Sequence, residues 1–169
     1  MAVTLQATIL PDLRTLYRSG LDLSTAADDL LIDTASVLTS GTTANKADLQ
    51  FHDQRTIAAS GNDDMDLAGG LSDAFGTTLT FVEIVSLLIK AASGNTNNLD
   101  VGGGSNPFLT HLGASGDIVT IRPGGFLWLF APTNPAYTVT AGTGDILRVT
   151  NDAGSTTVTY DIVILGRSA

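Results

Sequence analysis

Cysteine is absent from the 169 residues, which excludes disulfide scaffolds, thiolate metal sites and cysteine nucleophiles. Basic residues are scarce: 8 Lys and Arg stand against 17 acidic residues, for a net charge of −9. Binding to a phosphate backbone rests on clustered Lys and Arg, so nucleic acid is not an expected partner. Glutamate is nearly missing, with sixteen Asp and the single Glu83. Charged residues make up only 15% of the chain, below the roughly 25% of average usage, which sets aside a long charged helix. No apolar run reaches the ~18 residues of a membrane-spanning helix, and the N-terminus lacks a basic stretch followed by an apolar one. The expectation is a soluble, unsecreted product with no membrane partner.

What is abundant is threonine and glycine, 23 and 18 residues. Together with the Asp they favour strands and turns over helices. From Leu49 onward, short apolar runs alternate with Gly- or Asn/Asp-rich turns. The runs are 51–59, 65–68, 78–92, 99–101, 118–121, 126–131, 137–140, 146–150 and 156–165. They predict about nine short strands, as in a sandwich, jelly roll or barrel. The 78–92 run also fits a helix face through Phe81, Ile84, Val85 and Leu88, but its Thr/Val/Ile content and Gly flanks favour a strand. The first 48 residues read differently, as an arm. Leu10, Leu13, Leu16 and Tyr17 lie at helical spacing around Pro11, and Gly20 would end the helix. A short helix is predicted over 11–19, with a weaker helical stretch over 26–38. Residues 39–48 read as a polar linker crossing the surface in extended form. The division is therefore an arm over 1–48 and a β-sandwich domain over 49–169.

No catalytic set emerges. The two histidines are His52 and His111, and a strand would turn His52 and Asp53 to opposite faces. Both histidines are expected to be surface or structural. Gly113-Ala114-Ser115-Gly116 misses the spacing of a nucleophile elbow. The Gly102–Gly104 run does not form a dinucleotide fingerprint. Asn62, Asp64 and Asp66 resemble the start of a calcium loop, with Asp73 at the twelfth place. Leu67 occupies the position that needs Gly, and Asp73 replaces the bidentate Glu. The acidic run is expected to be a solvated turn, and neither metal nor cofactor is expected. A hydrolase pairing two of Asp63, Asp64 and Asp66 would require a cleft and a raised carboxyl pKa. The expectation is a non-enzyme.

Strand alternation over 126–131 places Phe126, Trp128 and Phe130 on one face and Leu127, Leu129 and Ala131 on the other. Both faces are apolar, so something must cover the second. The cover is either the chain's own N-terminal segment and loops or a subunit interface carrying an aromatic hot spot. An arm with no core of its own can likewise dock on a neighbour or remain a free terminus.

Several motifs bear a likeness. Met65 to Gly76 (MDLAGGLSDAFG), Arg122-Pro123-Gly124-Gly125, Ala141 to Asp145 (AGTGD) and Tyr160-Asp161-Ile162 resemble head decoration, or cement, proteins of tailed bacteriophages. The likeness covers about residues 50–169. It implies an antiparallel β-sandwich of jelly-roll type on the exterior of a phage head, a virion protein made in the host cytoplasm. It also implies a homotrimer that binds the major capsid protein, bridges capsomers and stabilises the mature shell. Leu13, Arg14, Leu16, Tyr17 and Arg18 of the arm are then the candidate capsid contacts. The alternative is a tail or fibre module of β-sandwich fold that binds a host glycan, which would want an exposed Trp or Tyr over a shallow groove.

Overall fold

The structure, a computed structural model, describes residues 4–20 and 22–169. It is all-β: among the described residues there is no helix, and every pair of named strands is antiparallel. In chain order the strands are β1 Gln6–Ile9, β2 Asp12–Gly20, β3 Thr25–Asp33, β4 Ser36–Thr39 and β5 Leu49–Ile57. Then come β6 Asn62–Asp66, β7 Leu71–Ser72, β8 Thr78–Leu79, β9 Glu83–Ala91 and β10 Leu99–Gly102. The chain ends with β11 Ile118–Ile121, β12 Phe126–Phe130, β13 Tyr137–Thr138, β14 Ile146–Asn151 and β15 Val158–Arg167.

Two larger sheets share one core. One has the order β11-β10-β14-β6; the other has β12-β9-β15-β5, with β13 also on β9. Alternation sends Leu99, Val101, Leu147 and Val149 of the first sheet inward against Leu87, Ile89, Ile162 and Ile164 of the second. This arrangement is consistent with a sandwich. The apolar runs after Leu49 become strands because their β-branched and aromatic residues pack well on pleated, buried surfaces. The ambiguous 78–92 run is two strands, β8 and β9, broken at 80–82.

The N-terminal region departs from expectation. Residues 11–19 form no helix, and neither do 26–38. They belong to one long hairpin that runs from Gln6 opposite Thr39 to Gly20 opposite Thr25 without a register shift. The physical reason lies in pairing. A lone nine-residue helix would be marginal in water, whereas each half of this segment gives the other a full ladder of backbone partners. Pro11 interrupts the ladder because it has no N–H to donate. It still accepts, from the Thr34 N–H at 3.3 Å. Residues 39–48 are not extended either. The segment doubles back through turns, with the Ala47 N–H on the Thr39 carbonyl at 3.0 Å and the Asn45 N–H on Pro132 at 2.8 Å.

The hairpin has two unlike halves. Its base, β1 and β4, lies on the outer face of the β12-β9-β15 sheet. There Ile9 and Leu38 join Ala47, Val85 and Leu165 in a second core, against which Trp128 and Phe130 pack. Its distal half, β2 and β3, is exposed at every described position.

Arg167 holds the base in place. Its guanidinium is fully buried (0% exposed), 2.5 Å from the carboxylate of Glu83, also buried. It further donates to the carbonyls of Lys46 at 3.0 Å, Thr133 at 2.8 Å and Pro132 at 3.1 Å. One side chain thus joins the last strand, the start of β9, the 39–48 segment and the 131–136 loop. A bulge in β15 at Leu165/Gly166 precedes it. Gly166 has no room for a Cβ, which would stand 2.4 Å from both the Glu83 carbonyl and the Phe81 ring.

Removing one partner of a buried ion pair leaves an uncompensated charge and costs about 3–5 kcal/mol. Glu83→Gln is expected to lower unfolding free energy by about 3 kcal/mol, read from urea denaturation. Protease nicking within 39–48 should accelerate in the same variant, since that segment loses its anchor.

Candidate interaction surface

The ribbon formed by β2 and β3 has two chemically distinct faces. Directly opposed residues share a face, so Leu13 with Ile32, Thr15 with Leu30, and Tyr17 with Asp28 lie on one side. Arg14 with Leu31, Leu16 with Asp29, and Arg18 with Ala27 lie on the other. The first face is mainly apolar; Tyr17 is 78% exposed, and Leu13, Leu30 and Ile32 are each about half exposed. The second carries the ribbon's arginines, with Arg14 in a loose contact to Asp29 at 3.5 Å. Such an exposed pair contributes little stability. The five candidate contact residues are thus exposed, but divided: Leu13 and Tyr17 on the apolar face, Arg14, Leu16 and Arg18 on the charged one.

The aromatic strand behaves as its alternation implies. Leu127 and Leu129 pack on the main core, and Trp128 and Phe130 on the second. The cover for the second face comes from the chain itself, through β1 and β4. Trp128 donates its indole N–H to the Ser86 hydroxyl at 3.1 Å. The cover is incomplete. Phe126, at the far end of β12, is exposed, beside a row of partly buried apolar residues, Trp128, Leu88 and Val163, paired across β12, β9 and β15.

The acidic run at 62–66 is a strand, β6, rather than a solvated turn. Alternation turns Asp63 to the face opposite Asp64 and Asp66, and each is engaged. Asp63 accepts from both Arg55 Nε and Nη2, the latter at 2.9 Å, and from the Tyr160 hydroxyl at 2.7 Å. Burial would raise the Asp63 carboxyl, but these hydrogen bonds outweigh it and hold it below the ordinary carboxylate range. Tyr160 is pushed far up by burial and by the neighbouring Asp63. Asp64 takes a bidentate pair from Arg148 at 2.5 and 2.6 Å, which lowers its pKa. Asp66 accepts the Ala68 N–H at 2.8 Å. A paired-carboxylate acid needs the opposite shift. Among the described residues no three His, Asp or Glu side chains gather as a metal site.

His52 sits on the outward face of edge strand β5. It lines a groove of about 450 Å³ between the start of β1, β5 and the 73–77 turn. Asp53 turns to the other face and meets Arg55 at 3.1 Å. The Gly102–Gly104 run is a turn with three positive φ angles; at Gly102 a Cβ would lie 2.5 Å from the Asp117 carbonyl. Of the motifs behind the phage likeness, 122–125 and 141–145 are turns, 65–76 holds the end of β6, all of β7 and the turns beside them, and 160–162 lies within β15. Asp73 caps the N–H groups of Phe75 and Thr77, and Asp145 that of Gly142. No helix is long and apolar enough to cross a membrane among the described residues. Compared with known protein families, curated proteins and solved structures, the chain matches none.

His111 is tilted against Phe108, ring centroids 5.1 Å apart, with both ring nitrogens buried and unpartnered. Burial lowers its pKa from 6.5, so the folded state holds it neutral while the unfolded chain takes up a proton. Its contribution is therefore complete above about pH 6.5 and lost as pH falls toward the depressed folded value. The urea midpoint of the wild type should drop between about pH 7.5 and 5.5, whereas His111→Phe should show a flatter profile there. Equal slopes would rule out this residue as the source.

Proposed function

We propose that this chain is a non-enzymatic structural protein of a tailed-phage head, a decoration or cement protein. In this reading it is a jelly-roll-type sandwich that sits on the exterior of the mature shell as a homotrimer and bridges capsomers. The observation that carries the reading is the ribbon itself: the nine residues of β2 and the nine of β3, seated at the base in the second core through Ile9 and Leu38 and exposed at every strand position. An arm fixed at one end and unpartnered at the other suits a protein that works by reaching a neighbour. The motif likeness over 50–169 supplies the setting, and the charged ribbon face, Arg14, Leu16 and Arg18, supplies the contact to the major capsid protein.

The physics of the role is simple. A protein that binds the expanded shell better than its precursor shifts the population toward the expanded state. Each bound copy adds interface where internal pressure would separate capsomers. A net charge of −9 discourages stray adhesion to the packaged genome. The glycan-binding alternative would have to use Tyr17, exposed on the ribbon, because the single Trp128 packs beneath β1 and β4 with its N–H committed to Ser86.

Co-sedimentation with expanded phage heads lacking a decoration protein tests this. The full chain should bind saturably in multiples of three. A variant with 12–33 replaced by a short turn should keep its melting temperature and lose binding. Arg14→Glu with Arg18→Glu should weaken binding about tenfold at low salt. No binding by the full chain would overturn the reading.

A further inference from the structure

The loop 103–117, between β10 and β11, is fastened unevenly. Near its start it forms a short ladder with the chain entering β14. The Phe108 N–H donates to the Ile146 carbonyl at 2.8 Å, and the Asn106 carbonyl accepts from Asp145 and Ile146 at 3.2 and 3.0 Å. Phe108 itself is buried in the main core. Beyond it the attachment thins. From Leu109 to Gly116, among the described residues, one hydrogen bond reaches the body of the fold, from the Thr110 hydroxyl to the Thr138 carbonyl at 3.2 Å. The others stay within the loop: the Leu112 N–H on Leu109 at 2.7 Å, and the Asp117 carboxylate on the N–H groups of Gly113 and Ala114 at 3.1 and 2.8 Å. A swing of 109–116 therefore sacrifices one hydrogen bond to the body.

His111 lies in this thinly held segment, its ring against Phe108. Its two nitrogens are the only buried side-chain nitrogen or oxygen atoms without a partner among the described residues. A neutral imidazole leaves one donor unsatisfied there; an imidazolium would leave two, together with an unpaired charge. Charged groups on the elements that the loop meets offer the ring no counter-ion. Asp117 is occupied with its two N–H groups, Asp145 with the Gly142 N–H, Asp100 of β10 with the Thr120 hydroxyl at 2.6 Å, and Arg148 of β14 with Asp64. Tyr137 of β13 gives it no hydrogen bond, and β11 has no titratable residue. Burial alone lowers the His111 pKa.

We infer that 109–116 is an acid-operated flap: neutral His111 closes it over Phe108, and protonated His111 swings out to water, uncovering Phe108 while the two large sheets stay folded. The imidazolium has no place in the closed loop, so uptake of the proton and opening are one event. The body keeps its charges over the same range. Asp63 and Asp64 titrate below the ordinary carboxylate range, and the only other histidine, His52, is exposed on β5. Below about pH 6.5 the open fraction rises by up to tenfold per pH unit, until the lower value of the closed ring is reached. The device is local, unlike the loss of overall stability described above, and it is independent of any shell or oligomer.

Native-state proteolysis of the full chain tests this. Thermolysin cuts before leucine and phenylalanine, and a free peptide of sequence 103–117 supplies the intrinsic rate at each pH. Relative to that peptide, cleavage before Leu109 and Leu112 should rise about fivefold from pH 7.5 to 5.5. It should be nearly insensitive to 0–1 M urea, because a local opening exposes little surface. His52→Gln should keep the rise. His111→Phe and His111→Gln, which do not titrate, should each abolish it. On the wild type, the Phe108 ring resonances should shift with the same midpoint as the His111 Cε1 proton, while those of buried Phe81 hold still. A cleavage rate flat with pH would overturn the proposal, as would a rise that persists without His111 or is lost without His52. So would cleavage that follows urea as steeply as global unfolding, or a His111 that titrates while Phe108 stays unchanged.

Discussion

The architecture turns on the buried pair of Arg167 and Glu83. Desolvating two charges is costly, and the geometry must repay it. It does so through four hydrogen bonds from one guanidinium, three of them to loop carbonyls, of which Pro132 also accepts the Asn45 N–H. The pair sits where the last strand bulges, and Gly166 beside it admits no side chain. Everything peripheral is referred to this point: the segment leading out of the hairpin, the loop after the aromatic strand and the chain end, where Ser168 also meets Asp48 at 2.5 Å.

From that node the two cores follow. The main core lies between the larger sheets, and the second lies between the large sheet and the hairpin base. Strands β9, β12 and β15 serve both, which is why their sequences are apolar on both faces over part of their length. Other buried polar groups close the ends of the ladder. Asn97 donates a 2.9 Å hydrogen bond to the Asn151 side-chain oxygen, and the two amide NH2 groups take up the carbonyls of Ala58, Ala153 and Thr156. These groups are internally satisfied, and so have little to offer a ligand.

Much of the body was legible before the structure. Ile118 to Ile121 and Phe126 to Phe130 read as strands from β-branched and aromatic content bounded by glycine turns. The alternation in the latter also assigned Trp128 and Leu129 to opposite faces. The hairpin was not legible. Leu10, Leu13, Leu16 and Tyr17 fit a helical period by coincidence of a ribbon with leucines on both faces, and propensity carries no information about a partner strand twenty residues away. The clamp was hidden for a different reason. Glu83 is the sole glutamate and Arg167 is third from the end, a separation that no local pattern connects. The acidic run was misjudged because its counterions, Arg55 and Arg148, come from other strands.

Pro11 concentrates the ribbon's compliance. With no donor there, a 3.3 Å hydrogen bond from Thr34 spans the junction between a base set in a core and a distal half whose strand residues are all exposed. A load applied to the ribbon therefore bends it at this joint before it peels β1 from β4, because the base is buried in a core and the junction is not.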